Sequence, residues 1–163
     1  MAHSTRIPST VNTYDKIQLA RIAHVYVQHP DLGKFETFAA DFGLIEAARD
    51  DDTIYYRGYG KDPYVYVATR SHSGQKSFQG GAFVAQTEQD FKKATKLEGA
   101  IKHDLSKAPG GGQSVEIPTP GGGRLYVLWG QTEREALAKP PTKTTINLSK
   151  YNTALEKFRR GLT

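Results

Sequence analysis

Twice along this chain a strand-like run leads into a capped helical stretch, a glycine stops the helix, and three further strand-like runs follow. That duplicated order constrains the fold more than any single motif. Each copy is one supersecondary unit, and its apolar face is best buried against the other copy. The first copy opens with the β-rich run Ala20-Arg21-Ile22-Ala23-His24-Val25-Tyr26-Val27-Gln28. Pro30-Asp31 starts a helical pattern with Leu32, Phe35, Phe38 and Phe42 on one stripe, and Gly43 ends it. Leu44 to Arg49, Thr53 to Tyr59 and Tyr64 to Thr69 then read as a three-stranded meander, broken by Asp50-Asp51-Asp52 and by Gly60-Lys61-Asp62-Pro63. The second copy repeats the order from Phe78: a strand through Gly80-Gly81-Ala82-Phe83-Val84-Ala85, the capping signature Thr87-Glu88-Gln89-Asp90, and a helix with Phe91, Ala94 and Leu97 inward. Gly99 stops that helix, and strands are expected over Ala100 to Leu105, Gln113 to Ile117 and Arg124 to Trp129.

Composition narrows the function classes. A chain of 163 residues can bury well over half the surface it exposes when unfolded, so one domain with a real core is expected. No stretch is apolar and long enough to span a bilayer, and the first eight residues lack the apolar block of a secretory signal. With no cysteine there is neither a disulfide framework nor thiolate chemistry. The expected location is cytoplasmic. The net charge of +5 gathers at the end: residues 133–163 hold seven Lys/Arg against three Asp/Glu, which leaves residues 1–132 at only about +1. A nearly neutral globular part argues against a groove that tracks phosphates, so no nucleic acid and no membrane are expected as partners. Gly110-Gly111-Gly112 and Gly121-Gly122-Gly123 are neither followed by Lys-Ser/Thr nor placed before a helix, and they read as loops rather than as an anion cradle.

Two βαβββ units, His24 in the first strand, the run Ile54-Tyr55-Tyr56-Arg57-Gly58-Tyr59-Gly60-Lys61-Asp62-Pro63-Tyr64-Val65-Tyr66-Val67 and Gly80-Gly81-Ala82-Phe83-Val84 together resemble the vicinal oxygen chelate superfamily. That superfamily includes glyoxalases, bleomycin-resistance proteins and extradiol ring-cleavage dioxygenases. Through Arg57-Gly58-Tyr59-Gly60 and Ala108-Pro109-Gly110-Gly111-Gly112, residues 18–132 are most similar to the amino-terminal domain of fungal extradiol-dioxygenase-like proteins. The resemblance implies an α+β fold of two βαβββ modules forming a curved mixed sheet cup. The modules would be residues 18–70 and 77–132, after an N-terminal extension (1–17) and before a basic tail (133–163). In that tail Leu148, Tyr151, Leu155 and Phe158 are spaced for one helix. Metal-using members take one ligand from the first and one from the last strand of each curved sheet. His24 matches the first position, but glycine or alanine stands at the equivalent place in the second unit, and no carboxylate lies in either last strand. The iron triad of the two-domain dioxygenases lies in a second domain, so this chain is expected to be a separated half or a standalone protein derived from one.

If His24 faces the cup, strand alternation places Ile22, Tyr26 and Gln28 beside it and sends Ala23, Val25 and Val27 to the helix. The same rule assigns Tyr64, Tyr66, Arg124, Tyr126 and Leu128 to the cup, with Gly81 leaving room. A tyrosine-rich concave surface around one histidine suits a flat phenolic ligand, because tyrosine supplies apolar area and a hydroxyl together. His24 is therefore the candidate catalytic residue, as a proton-transfer group in isomerase, cyclase or lyase chemistry. Tyr26, Tyr64, Tyr66, Gly81, Tyr126 and Arg124 are the candidate ligand-binding residues. Three readings stand: such a small-molecule enzyme; a noncatalytic ligand-binding or structural half of an extradiol dioxygenase; or a metal-dependent dioxygenase whose site is completed across a dimer from His24 and Glu116. No cofactor is expected under the first, with a divalent metal, Fe or Mn, under the last. The expected partners are a small aromatic molecule and a second copy of the chain in a homodimer.

Overall fold

The structure, a computed structural model, describes residues 11–137. The first module comprises β1 (Leu19–His29), α1 (Leu32–Phe42), β2 (Ile45–Arg49), β3 (Thr53–Arg57) and β4 (Tyr66–Arg70). The second comprises β5 (Ser77–Ala85), α2 (Glu88–Ala94), β6 (Ile101–Asp104), β7 (Gln113–Pro118) and β8 (Arg124–Trp129). All eight strands join in one curled sheet of order β2-β3-β4-β1-β5-β8-β7-β6. β1 and β5 pair antiparallel at the centre and fuse the modules, while β1–β4 and β5–β8 are parallel crossovers. The two modules and the curved mixed sheet are as the sequence led one to expect. The tail helix around Leu148 to Phe158 lies outside the described residues. Among the described residues, no helix is long and apolar enough to cross a membrane.

Local chemistry explains both helices. Asp31, in an extended conformation, accepts the Lys34 N–H at 3.0 Å and caps α1, and Gly43 closes it at φ 88°. The buried stripe of α1 is Leu32, Phe35 and Ala39; Phe38 and Phe42 are 57% and 72% exposed, contrary to the expectation that they face inward. One residue is about 100° of helix rotation, so seating Ala39 against the sheet turns Phe38 outward. In α2 the Thr87 hydroxyl oxygen accepts the Asp90 N–H at 3.1 Å, and Phe91 and Ala94 are buried. Leu97 lies beyond the end of that helix and is exposed, a second departure from the expected stripe.

Each helix covers one end of the outer face. α1 packs Leu32, Phe35 and Ala39 on Ile54, Tyr56 and Ala68, and α2 packs Phe91 and Ala94 on Ala85, Val115 and Val127. His29, at the end of β1, stacks on Phe35 with ring centroids 3.9 Å apart and lies 2.8 Å from the Tyr66 hydroxyl, so it belongs to this packing. Asp90 ties the segment before β1 to α2. Its carboxylate accepts from the Gln18 N–H at 3.2 Å, from Lys93 Nζ at 3.0 Å and from the Thr87 hydroxyl. Those donors, the Thr87 hydroxyl foremost, hold the carboxyl at about 2, below its usual 3.8. A folded-state value below the unfolded one means stability that is present above pH 4 and lost as pH falls toward 2. Urea unfolding of Asp90→Asn is expected to show a lower midpoint than wild type at pH 7 and a flatter decline between pH 4 and 2; parallel declines would contradict this role.

Candidate functional site

The inner face of the sheet divides into a filled half and an open half. In the first module, Tyr64, Val67 and Ala108 pack together with Tyr26, Tyr55 and Leu105 around them. Ala108 and Leu105 come from the β6–β7 loop, whose Gly110 carbonyl accepts the Thr132 N–H at 2.8 Å, so the second module plugs the cup of the first. His24 lies under this plug. It is 1% exposed, its ring centroid stands 4.4 Å from that of Tyr64 and 4.8 Å from that of Tyr26, and neither ring nitrogen has a hydrogen-bond partner. Burial without a partner disfavours the imidazolium and drives its pKa down to about 3. A group so enclosed is neutral at ordinary pH, a setting that contrasts with the open one an acid–base centre needs.

The open half lies over the second module. Tyr26, His103, Asp104, Leu105, Ser114, Glu116 and Tyr126 surround a cavity of about 310 Å³. Pairing places these groups side by side, since His103 lies opposite Ser114, and Glu116 opposite both Ile101 and Tyr126. The Glu116 carboxylate accepts from His103 Nε2 at 3.1 Å and forms an ion pair with Arg124, whose Nε lies 3.1 Å from Glu116 Oε1. Arg124 Nη1 reaches Gln79 Oε1 at 3.4 Å, and Gln79 Nε2 donates to Gln28 Oε1 at 3.1 Å. A relay of five polar side chains thus crosses five neighbouring strands, β1, β5, β8, β7 and β6. The Tyr26 and Tyr126 rings stand 4.5 Å apart beside it. Burial raises both hydroxyls' pKa, so they act here as neutral phenols. A larger cavity of about 420 Å³, lined by Glu46, Arg57, Pro63, Pro109, Thr132 and Arg134, lies outside this relay.

Of the residues expected in the cup, Tyr26, Tyr64 and Tyr126 are on the inner face, and Arg124 stands at the rim. Tyr66 is not: it pairs with Val25 and Tyr56 on the outer face and stacks on Phe35 at 4.9 Å. β4 begins only at Tyr66, so the irregular Val65 breaks the alternation counted from Tyr64. Gly81 also faces outward with Phe83; Gly80 is the glycine opposite Tyr26. There φ is +139°, and a Cβ would stand 2.5 Å from the Arg124 carbonyl oxygen and 2.8 Å from the Tyr126 ring. Ala23 packs inward with Ala82 and Tyr126, and Ile22 is exposed, because β1 is irregular between Ile22 and His24. Sequence reasoning passed over His103. Its signal was the alternation of His103 with Ile101 on a strand opposite Glu116.

The residues present do not fit a resident metal. Among the described residues, no three His, Asp or Glu side chains converge as ligands. His24 has only phenols beside it, and burial holds the Tyr64 hydroxyl up at about 12, so no anionic donor is at hand. Glu116 is already committed to the Arg124 cation. Of the two residues expected to share a site across a dimer, His24 is 1% exposed and Glu116 is paired with Arg124.

No known protein family and no curated protein sequence matches the chain. Solved structures do. Homoprotocatechuate 2,3-dioxygenase from Brevibacterium fuscum, in complex with 3,4-dihydroxyphenylacetate, is similar with a TM-score of 0.64 at 22% identity, over 75% of this chain and 40% of that one. An extradiol ring-cleaving dioxygenase from B. fuscum, determined at room temperature, is similar with a TM-score of 0.62 at 22% identity, over 80% of this chain and 37% of that one. The chain spans about two fifths of the length of these dioxygenase chains. The fold is the α+β vicinal oxygen chelate fold.

Two stability measurements test this geometry. Gly80→Ala is expected to destabilise by about 2 kcal/mol or more, through strain and the clash with Arg124 and Tyr126, whereas Gly81→Ala, whose Cβ meets only Phe83 at 3.5 Å, changes little. Equal effects would contradict the assignment of the two faces. His24→Leu is expected to raise stability at pH 7 by about 1 kcal/mol, because it removes unpartnered buried nitrogens. With a folded-state value near 3 against the usual 6.5, wild type loses stability as pH falls through that window, and the leucine variant does not. Marked destabilisation by leucine at pH 7 would instead reveal a polar partner at His24.

Proposed function

We propose that this chain binds a small phenolic compound in the cavity of its second module, as an extradiol-dioxygenase-type domain that carries no metal site of its own. The observation that carries the reading is the contrast between the two halves: one cup is sealed around His24, and the other is open, lined by Tyr26 and Tyr126 with Glu116 and His103, the end of the polar relay that starts at Gln28. A volume of about 310 Å³ takes one substituted benzene ring. Tyrosine rings supply stacking area, and Glu116 and His103 accept or donate hydrogen bonds at a phenol edge. The similar dioxygenase structure holds 3,4-dihydroxyphenylacetate, a ligand of that chemical class. The same reading takes residues 18–132 as a fungal-type amino-terminal domain and the protein as cytoplasmic and homodimeric.

Calorimetric titration with catechol tests it. Saturable one-to-one binding is expected, weakened at least tenfold, about 1.4 kcal/mol, by Glu116→Leu and left within twofold by His24→Leu, with circular dichroism confirming that both variants fold. Absence of saturable binding, or dependence on His24 rather than Glu116, would overturn the assignment.

A further inference from the structure

We propose that His103 is the proton acceptor for the phenol bound in this cavity, so that the ligand is held as its phenolate; the inference rests on the binding reading above. A carboxylate only accepts, so the 3.1 Å contact between His103 Nε2 and Glu116 Oε2 fixes the tautomer: the hydrogen sits on Nε2 and the lone pair of the neutral ring on Nδ1. The ring is restrained but not sealed, since its side chain is 41% exposed whereas that of Glu116 is 17% exposed. His24 is the reverse case, an imidazole sealed away with nothing to orient it.

The step balances without any co-reactant. The phenolic O–H bond breaks, an N–H bond forms at Nδ1, and the electron pair stays on the phenolate oxygen. The resulting imidazolium is stabilised by Glu116, whose other oxygen is fixed by Arg124. Arg124 and Glu116 are positioning residues, and Gln79 and Gln28 extend the restraint to the centre of the sheet. The charged and titratable groups around the same cavity are Asp104 on β6, Glu116 on β7, Tyr126 on β8 and Tyr26 on β1, with Arg124 on β8 paired to Glu116. Asp104, next to His103 on β6, also lines the cavity, and its carboxylate accepts from the Ser106 N–H at 3.0 Å and the Ser106 hydroxyl at 2.9 Å. Glu116 disfavours a phenolate in this setting, whereas the Arg124 guanidinium paired with it favours one. A phenolate that is lost on removing the His103 imidazole, with Arg124 and Glu116 still in place, therefore reports proton transfer to His103 and not the general field of the cavity.

The test uses 4-nitrocatechol, whose absorbance distinguishes phenol from phenolate, titrated into the full chain across pH. The ionisation midpoint of the bound probe is expected at least one pH unit below that of the free probe, a tenfold shift in the proton equilibrium. His103→Gln, read with the probe at saturation, should lose the shift. Glu116→Gln should lose most of it, and Glu116→Asp should restore part, which a merely structural role would not. Binding without a lowered midpoint, or a midpoint that stays low in His103→Gln, would overturn the proton transfer and leave the binding reading standing. No saturable binding by the wild type would overturn the binding reading, and the inference with it.

Discussion

The antiparallel pairing of β1 with β5 is the interaction on which the rest depends. It runs the length of the longest strand and joins two four-stranded modules whose central edges would otherwise carry unpaired backbone groups. The ladder is irregular at three places, between Leu19 and Arg21, between Ile22 and His24, and between Tyr26 and Val27. Irregularities of this kind bend and twist a sheet, and here they lie where it curls. Gly80 sits at the tightest point, with the Tyr126 ring over a position that a side chain would fill. The curl then allows the β6–β7 loop of one module to reach Tyr64 and Val67 of the other.

From that pairing follows an asymmetry between modules of the same plan. The first half of the inner face receives Tyr55, Tyr64, Leu105 and Ala108 and closes around His24. The second half keeps its polar groups at the surface and links them side by side. Duplication supplied two cups of the same plan, and among the described residues one is filled by packing while the other keeps a cavity of about 310 Å³ beside charged groups. The different settings of the two histidines are in this sense a consequence of core packing: His24 is enclosed without a partner, whereas His103 lies at an open cavity beside Glu116.

Much of the architecture was legible in the sequence, because it rests on local signals. Asp31, Gly43 and Thr87 mark helix ends by backbone chemistry that does not depend on distant residues, and the strand runs are bounded by glycine, proline and aspartate. Which side chain faces which layer was legible only where strands stay regular. Tyr126 and Leu128 on the uninterrupted β8 were placed correctly. Tyr66 and Gly81 were not, since one irregular residue before β4 and the broken register of β1 against β5 each shift the alternation by one. Phe38 and Phe42 misled for a different reason: the stripe that packs uses the small Ala39, which lets α1 approach the sheet closely. His103 was hidden because its partner is thirteen residues away on another strand, and pairing register, not spacing, brings them together.

Placing the site in the second module is the claim that most needs a direct measurement, and a crystal structure of the chain grown with catechol supplies it. The account predicts ligand density between Tyr26 and Tyr126, with a phenolic oxygen within hydrogen-bond distance of His103 Nδ1, and the cup around His24 still closed. Density beside His24 after displacement of Ala108 and Leu105, or in the cavity lined by Arg57, would contradict it.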